Sequence, residues 1–210
     1  MPPTLTLLAA LSAVIHIRAE YRGPRWCVYI FKPLTMGFIV LIAVTGPPGP
    51  GAYRHLVIGG LLFSLAGDVF LMLPSDGFVA GLVAFLVAHL FYIAAFAPAA
   101  GALQWWPVLP LAAYGVGIYR TLAPGLGKLK PPVLAYIAVI MVMAWMGWEQ
   151  WLQAGRTGAL MAFAGALLFV VSDTVLALNR FGRGFKAARA LNLSTYFAAQ
   201  WLIAGSVRMG

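Results

Sequence analysis

Residues 61–73 read "LLFSLAGDVFLML" and residues 166–178 read "ALLFVVSDTVLAL", so each apolar run carries one aspartate near its centre. Runs of this kind, continued by further apolar residues, predict helices that cross a membrane. A charged side chain raises the free energy of inserting such a helix into a membrane by about 2.5–3.5 kcal/mol. Such a side chain usually faces a protein interior or a wet cavity. Asp68 and Asp173 are therefore the residues at which we expect function.

The composition is that of an integral membrane protein. Of the 210 residues, 62% are hydrophobic and 9% are charged, whereas a soluble domain carries roughly 25% charged residues. The single cysteine, Cys27, excludes a disulfide framework and a cysteine-based metal site. A net charge of +9 would suit nucleic acid, but in so apolar a chain we interpret it as a sign of loop topology, and no nucleic-acid partner is expected.

Charged residues and clusters of proline and glycine divide the chain into eight apolar segments. A helix needs about 20 apolar residues to cross a bilayer, with some tolerance for shorter ones. The sequence therefore predicts an all-α polytopic membrane protein, with residues 1–210 forming one domain of about eight transmembrane helices. The predicted spans are 3–17, 26–45, 55–73, 77–97, 105–120, 131–150, 157–178 and 188–207.

The basic residues are distributed unequally between the two sets of loops that eight spans would create. Lys32 lies inside a span, and the loops on one side would receive ten basic residues against three on the other. Because basic loops face the cytoplasm, both termini are predicted on the non-cytoplasmic side. The larger set is Arg18, Arg22, Arg25, Arg120, Lys128, Lys130, Arg180, Arg183, Lys186 and Arg189, and the smaller set is Arg54, Arg156 and Arg208.

Asp68 and Asp173 are predicted at matching depth. Each lies five residues before the cytoplasmic end of its predicted span, which is roughly 7–8 Å below the interface. Matching depth favours one shared polar site, and the alternative is a hydrogen bond or ion pair made for helix packing. Small neighbours such as Gly67 permit close helix approach, and Ser64 or Ser172 could donate a hydrogen bond to its neighbouring carboxylate.

Several other polar side chains inside the spans are candidate substrate contacts. Lys32 could instead extend to the headgroups, His89 could be a buried hydrogen-bonding histidine, and Tyr196 with Gln200 could join helices. The three histidines show no HxxxH or HExxH spacing, and no GxSxG stretch exists, so neither a metal nor a cofactor is expected. The predicted substrate-binding residues are Lys32, Ser64, His89, Tyr92, Ser172, Tyr196 and Gln200.

These residues occur in motifs that resemble the YhhN family, which includes the mammalian lysoplasmalogenases. The resemblance covers nearly the whole chain, in order. The motifs are "KP" at 32–33, "SLAGDVFLML" at 64–73, "FVAGLVAFLVAHLFY" at 78–92, "GALLFVVSDTVLALNRF" at 165–181 and "TYFAAQWLI" at 195–203.

The resemblance implies an eight-helix membrane enzyme that hydrolyses the vinyl ether bond of lysoplasmalogens. The products would be a fatty aldehyde and glycerophosphoethanolamine or glycerophosphocholine, and Asp68 and Asp173 would be the catalytic pair. The expected partners are the lysophospholipid substrate and membrane lipids. Short loops and an Ala/Gly/Arg-rich composition indicate a bacterial chain in the inner (plasma) membrane, and because many bacteria make no plasmalogens, the natural lipid could differ.

Vinyl ether hydrolysis requires a protonated acid and a nearby anion. Proton transfer to carbon creates an oxocarbenium ion, which water captures, and two carboxylates in different environments can divide these tasks. We expect Asp173, in its apolar "FVV" context, to be the acid and Asp68 the charged partner, although the reverse assignment stays open. The alternative function is a lipid or small-molecule transporter that uses the aspartate pair as a proton relay.

Overall fold

The structure, a computed structural model, describes residues 2–47, 52–73, 77–97, 102–182 and 184–209. These residues form eight α-helices and one short 3-10 turn, with no β-strand among them, which confirms the all-α prediction. Every helix overlaps one predicted span. The helices are α1 (Pro3–Arg22), α2 (Arg25–Val44), α3 (Tyr53–Met72), α4 (Phe78–Phe96), α5 (Val108–Leu126), α6 (Lys130–Ala154), α7 (Thr157–Phe181) and α8 (Ala188–Ser206), and the 3-10 turn is Gly127–Leu129.

Prolines and glycines set the helix boundaries. Pro24 precedes α2, and α6 begins at Lys130 followed by two prolines, because proline fits the first helical turn, where no amide donor is needed. Helix α6 ends at Gly155, whose φ of 59° is left-handed, and its amide donates to the Trp151 carbonyl at 2.9 Å. Glycine adopts this conformation without a steric cost.

Five helical segments are long and apolar enough to cross a membrane, namely 25–44, 53–72, 78–96, 108–154 and 157–181. The fourth contains both α5 and α6, which fold back on each other, since Gly115 of α5 lies against Ile137 and Met141 of α6. The chain is thus an integral membrane protein, while the count of eight spans and the sides of the termini stay predictions. Of the basic residues used for the topology, Arg183 lies outside the described residues.

Glycines let the helices that carry the two aspartates approach their neighbours closely. A β-carbon at Gly67, next to Asp68, would lie 2.7 Å from the Phe85 ring of α4. A β-carbon at Gly165 of α7 would lie 2.9 Å from the Ala199 carbonyl oxygen of α8. Helix pairs in membranes rely on such small residues because lipid is as apolar as their side chains. This packing brings α3, α4, α7 and α8 together in the interior.

Helix α5 is the most peripheral element. Within the described parts of the chain it packs only on α6, α7 and the 3-10 turn, whereas α8 contacts α1, α2, α3 and α7. Leu109 and Val116 of α5 are 74% and 49% exposed. Among the described residues, the buried polar side chains belong to helices other than α5.

Candidate active site

Asp68 is held by donors from two other helices. Its side chain is 1% exposed, and the Lys32 ammonium of α2 lies 2.9 Å from Oδ1. The Tyr196 hydroxyl of α8 donates to Oδ2 at 2.6 Å. Both groups stabilise a carboxylate anion, so they offset the cost of removing its charge from water.

Asp173 has a different set of neighbours. The Tyr136 hydroxyl of α6 donates to its Oδ2 at 2.5 Å, and Nε2 of His89 on α4 lies 3.9 Å from the same oxygen. Its side chain is 15% exposed, against 1% for Asp68. Asp173 thus has a neutral hydroxyl and an imidazole beside it where Asp68 has an ammonium group.

Two phenylalanine rings lie between the two groups of polar residues. Phe169 packs edge-on against His89 at 4.7 Å and against Tyr196 at 5.6 Å between ring centroids. Phe85 packs edge-on against Tyr196 at 5.9 Å and against Phe169 at 6.1 Å. Tyr196 donates to Asp68 and His89 lies beside Asp173, so these ring contacts link the surroundings of the two carboxyl groups. The two carboxylates therefore belong to one buried region, with an aromatic layer between their hydrogen-bond partners.

An apolar cavity of about 60 Å³ borders Asp173. One buried water molecule needs roughly 10–15 Å³ of such volume, so the cavity has room for a few water molecules or a small part of an apolar chain. It lies between α4, α5, α6 and α7. Phe78, Leu82, Ile118, Leu122, Val133 and Ile140 are among its apolar lining residues, and Tyr136 and Thr174 are polar ones.

A second cavity, about 320 Å³ in volume, lies at the end of the helices where the predicted cytoplasmic arginines gather. Lys32, Arg25, Arg189 and Glu20 line it. Lys32 therefore contacts both this polar cavity and the buried Asp68. Leu71, less than one turn after Asp68, lines the polar cavity and also the apolar cavity beside Asp173, so its side chain lies between the two.

The remaining predicted contacts are buried in the same region. Tyr92 and Gln200 are fully buried, and the Tyr92 hydroxyl donates to Oε1 of Gln200 at 2.7 Å. His89 and Ser64 are also fully buried. Lys32, Ser64, His89, Tyr92, Ser172, Tyr196 and Gln200 thus all lie in the interior or line a cavity; their role as substrate contacts stays a prediction.

The expectation that Ser64 or Ser172 donates to its neighbouring carboxylate is wrong. Ser172 donates to the Asn192 carbonyl of α8 at 3.2 Å, and the hydroxyl donors to Asp68 and Asp173 are tyrosines. The reason is direction, because consecutive residues on a helix point about 100° apart and Ser172 faces α8. In the described part of the chain, no three His, Cys, Asp or Glu side chains form a group that could hold a metal ion.

Tyr136 is a residue of this region that is absent from the sequence-based predictions. It lies in the apolar run of α6 and is 8% exposed. A buried tyrosine hydroxyl usually finds a hydrogen-bond partner, so a lone tyrosine within a predicted span is a signal that could identify it. The identity of its partner, Asp173, is a property of the folded chain.

The chain is similar to known membrane proteins along most of its length. Residues 27–207 match the YhhN family. The Escherichia coli protein called uncharacterized membrane protein YhhN is 33% identical over 202 residues, covering 96% of this chain and 97% of that protein. Human lysoplasmalogenase TMEM86A is 39% identical over 186 residues, covering 86% and 73%, and lysoplasmalogenase TMEM86B of Sus scrofa is 36% identical over 187 residues, covering 88% and 76%. No solved structure matches the chain.

Proposed function

This chain belongs to the YhhN family, and we propose that it is a membrane hydrolase that cleaves the vinyl ether bond of lysoplasmalogens. The products are a fatty aldehyde and glycerophosphoethanolamine or glycerophosphocholine. The names of the mammalian relatives, lysoplasmalogenases, support this substrate class. In a bacterial cell the enzyme would act in the inner membrane, on whichever lysolipid there carries a vinyl ether.

The observation that carries the proposal is the unequal environment of the two carboxyl groups. Asp68 is paired with an ammonium group at 2.9 Å, which suits a permanent anion. Asp173 borders an apolar cavity and has a neutral hydroxyl, that of Tyr136, where Asp68 has an ammonium group. This apolar surrounding suits a carboxylic acid, and the Tyr136 hydrogen bond stabilises the carboxylate that forms when the acid gives up its proton. Pairs of carboxyl groups in contrasting environments divide acid and anion roles in this way.

The reaction begins when the Asp173 carboxyl group transfers its proton to the vinyl carbon next to the ether-bearing carbon. The ether-bearing carbon becomes an oxocarbenium ion, and the Asp68 anion lowers the energy of this cation electrostatically. A water molecule adds to the cation and returns one proton to Asp173, which leaves a hemiacetal. The hemiacetal C–O bond then breaks: the hemiacetal hydroxyl gives up its proton as it becomes the aldehyde carbonyl, and the glycerol oxygen takes up one proton and leaves as a hydroxyl group.

The two cavities suit the two ends of a lysolipid. The polar cavity, with Arg25, Lys32 and Arg189, offers positive charge to a headgroup phosphate. The apolar cavity beside Asp173 offers space to the start of the hydrocarbon chain. The vinyl ether joins these two parts, so it would lie near Leu71, which borders both cavities. His89, Tyr92 and Gln200 support the walls of this region from the interior.

The test is aldehyde release by the purified protein from a lysoplasmalogen. We compare the wild type with Asp68→Asn and Asp173→Asn, and a lysolipid with a saturated ether in place of the vinyl ether serves as the substrate control. A general acid contributes typically about 10²–10⁴-fold, so Asp173→Asn should lower the rate at least about 100-fold, and the saturated ether should give no aldehyde.

Unchanged aldehyde release in both variants would remove the aspartate pair from the mechanism. A wild-type protein that releases no aldehyde, but moves the intact lipid between leaflets of a vesicle, would favour the transporter alternative. Thermal unfolding of each variant in detergent checks that a lost rate is not a lost fold.

A further inference from the structure

A third cavity lies at the seam between α5 and α6, on the outer side of the bundle. Its volume is about 290 Å³, and its lining runs from Val108 and Trp145 at one end to Tyr119 and Leu134 at the other. The lining is almost wholly apolar. Gly115, Ile137 and Met141 line both this seam and the apolar cavity that borders Asp173, so the two cavities share a wall.

The two cavities lie on either side of that wall, and the inner one borders the carboxyl group of Asp173. Along α5 their lining extends from Val108 to Leu122, which at 1.5 Å per residue is about 21 Å. The hydrocarbon core of a bilayer is about 30 Å thick, so the chains of one leaflet occupy about half of that, roughly 15 Å. The combined lining along α5 is therefore longer than the chains of one leaflet, and the level of Asp173, marked by the Tyr114–Thr174 contact, lies within this lining rather than at its end.

The outer cavity is accessible from the side, because α5 lies at the periphery of the bundle. Among the described residues α5 is packed only against α6, α7 and the 3-10 turn. A hydrogen bond of 2.9 Å joins the hydroxyl groups of Tyr114 on α5 and Thr174 on α7. Thr174 is next to Asp173 in sequence, so this contact between α5 and α7 lies beside the candidate acid.

The geometry points to the α5–α6 seam as the binding groove for the single hydrocarbon chain of the substrate, which reaches Asp173 sideways from the bilayer. This inference rests on the proposed function and adds the substrate's path and its chain specificity. One apolar groove, separated by a single wall of side chains from the cavity that borders Asp173, fits a lysolipid, which has one chain. A second chain would have no corresponding groove leading to Asp173 among the cavities described above.

Two glycines of α5 provide a matched pair of variants for the test. A β-carbon at Gly115 would lie 3.1 Å from Cγ2 of Ile137 and 3.4 Å from Cγ of Met141, so Gly115→Leu places its side chain in the wall that the two cavities share. A β-carbon at Gly117 would have nothing within 4 Å. Gly117→Leu therefore makes the same change in the same helix without filling the groove.

Activity is measured as kcat/KM for a long-chain and a short-chain lysoplasmalogen. Single methylene groups in apolar pockets change discrimination by about 10–200-fold, so Gly115→Leu should lower kcat/KM for the long chain at least about tenfold more than for the short chain. Gly117→Leu should match the wild type on both. An equal loss on both substrates for Gly115→Leu, or no loss on either, would overturn the inference.

A binding measurement on the wild-type protein separates this inference from the proposed function. A lysolipid with a photoreactive diazirine at the end of its chain should label residues of the seam, within 108–116 or 138–145, and excess lysoplasmalogen should suppress the label. Equal suppression by a two-chain phospholipid would mean that the groove holds ordinary membrane lipid, and the inference fails. Labelling with no aldehyde release by the wild type would refute the proposed function alone.

Discussion

The buried ion pair between Lys32 and Asp68 gives the sharpest prediction. Its ammonium and carboxylate lie 2.9 Å apart, with side chains 11% and 1% exposed. Lys32→Met keeps the length of the side chain but leaves the Asp68 carboxylate without its cation. Removing one partner of a buried pair lowers the free energy of unfolding by about 3–5 kcal/mol. In a chain of this size, that loss corresponds to a fall in Tm of roughly 6–20 °C.

The double variant is expected to recover most of that loss. In Lys32→Met/Asp68→Asn neither charge remains, and replacing both members of a buried pair by neutral groups is often close to neutral in stability. Asp68→Asn alone should lower the free energy of unfolding less than Lys32→Met alone. In Asp68→Asn the remaining charge is the Lys32 ammonium, which lines the polar cavity and can be hydrated there. The two single effects should therefore be far from additive.

The measurement is a double-mutant cycle on unfolding free energies in detergent, read from denaturant titrations. Lys186→Met, at an exposed position near the same end of the helices, is the control for removing a lysine and should change stability by less than about 0.5 kcal/mol. Additivity of the two single changes to within about 0.3–0.5 kcal/mol, or a Lys32→Met protein as stable as the wild type, would refute the idea that Lys32 and Asp68 are one coupled unit.

Two further predictions concern Tyr136 and the contact of α3 with α4. Tyr136→Phe removes the hydroxyl that donates to Asp173 and stabilises the carboxylate that forms as the acid gives up its proton. A hydrogen bond to a charged group contributes about 1.5–3 kcal/mol, so kcat/KM for aldehyde release should fall about 10–150-fold. Tyr21→Phe, at an exposed tyrosine, should retain activity, and equal rates for both variants would contradict a role for Tyr136. Gly60→Ala would place a β-carbon against the Tyr92 ring, and this overpacking should lower the unfolding free energy by about 1–3 kcal/mol. Gly37→Ala, with nothing within 4 Å, should instead gain about 0.5–1 kcal/mol, and a Gly60→Ala protein that is equally stabilised would show that the α3–α4 contact is loose.

Part of the site could be predicted from the sequence because some of its residues differ clearly from their apolar neighbours. Asp68, Asp173 and Lys32 are charged residues within apolar runs, and a charge there needs a protein partner or a wet cavity. Tyr196 and Gln200 are four residues apart on α8, which places them on one face. The tertiary structure determines their neighbours: Lys32 and Tyr196 both contact Asp68, and Gln200 contacts Tyr92.

Other features give little local signal. Tyr136 is one apolar-looking residue among many in α6, and its role depends on a hydrogen bond to a residue 37 positions later. The expected Ser172 donor was wrong because proximity along a helix does not determine which way a short side chain points. The cavities beside Asp173 and Lys32 are spaces between four or more helices, and no single segment encodes them.

The sequence by itself determined the class of the protein, the approximate bounds of its helices and the two acids around which its chemistry is expected. These are local properties, since a backbone in lipid must satisfy its own hydrogen bonds and does so as a helix wherever apolar residues run long enough. Only the tertiary structure decided that Asp68 meets an ammonium group while Asp173 meets a neutral hydroxyl and an open cavity. That difference depends on how the helices rotate and pack against one another. The same packing brings the Tyr196 hydroxyl to Asp68, 128 positions earlier in the sequence.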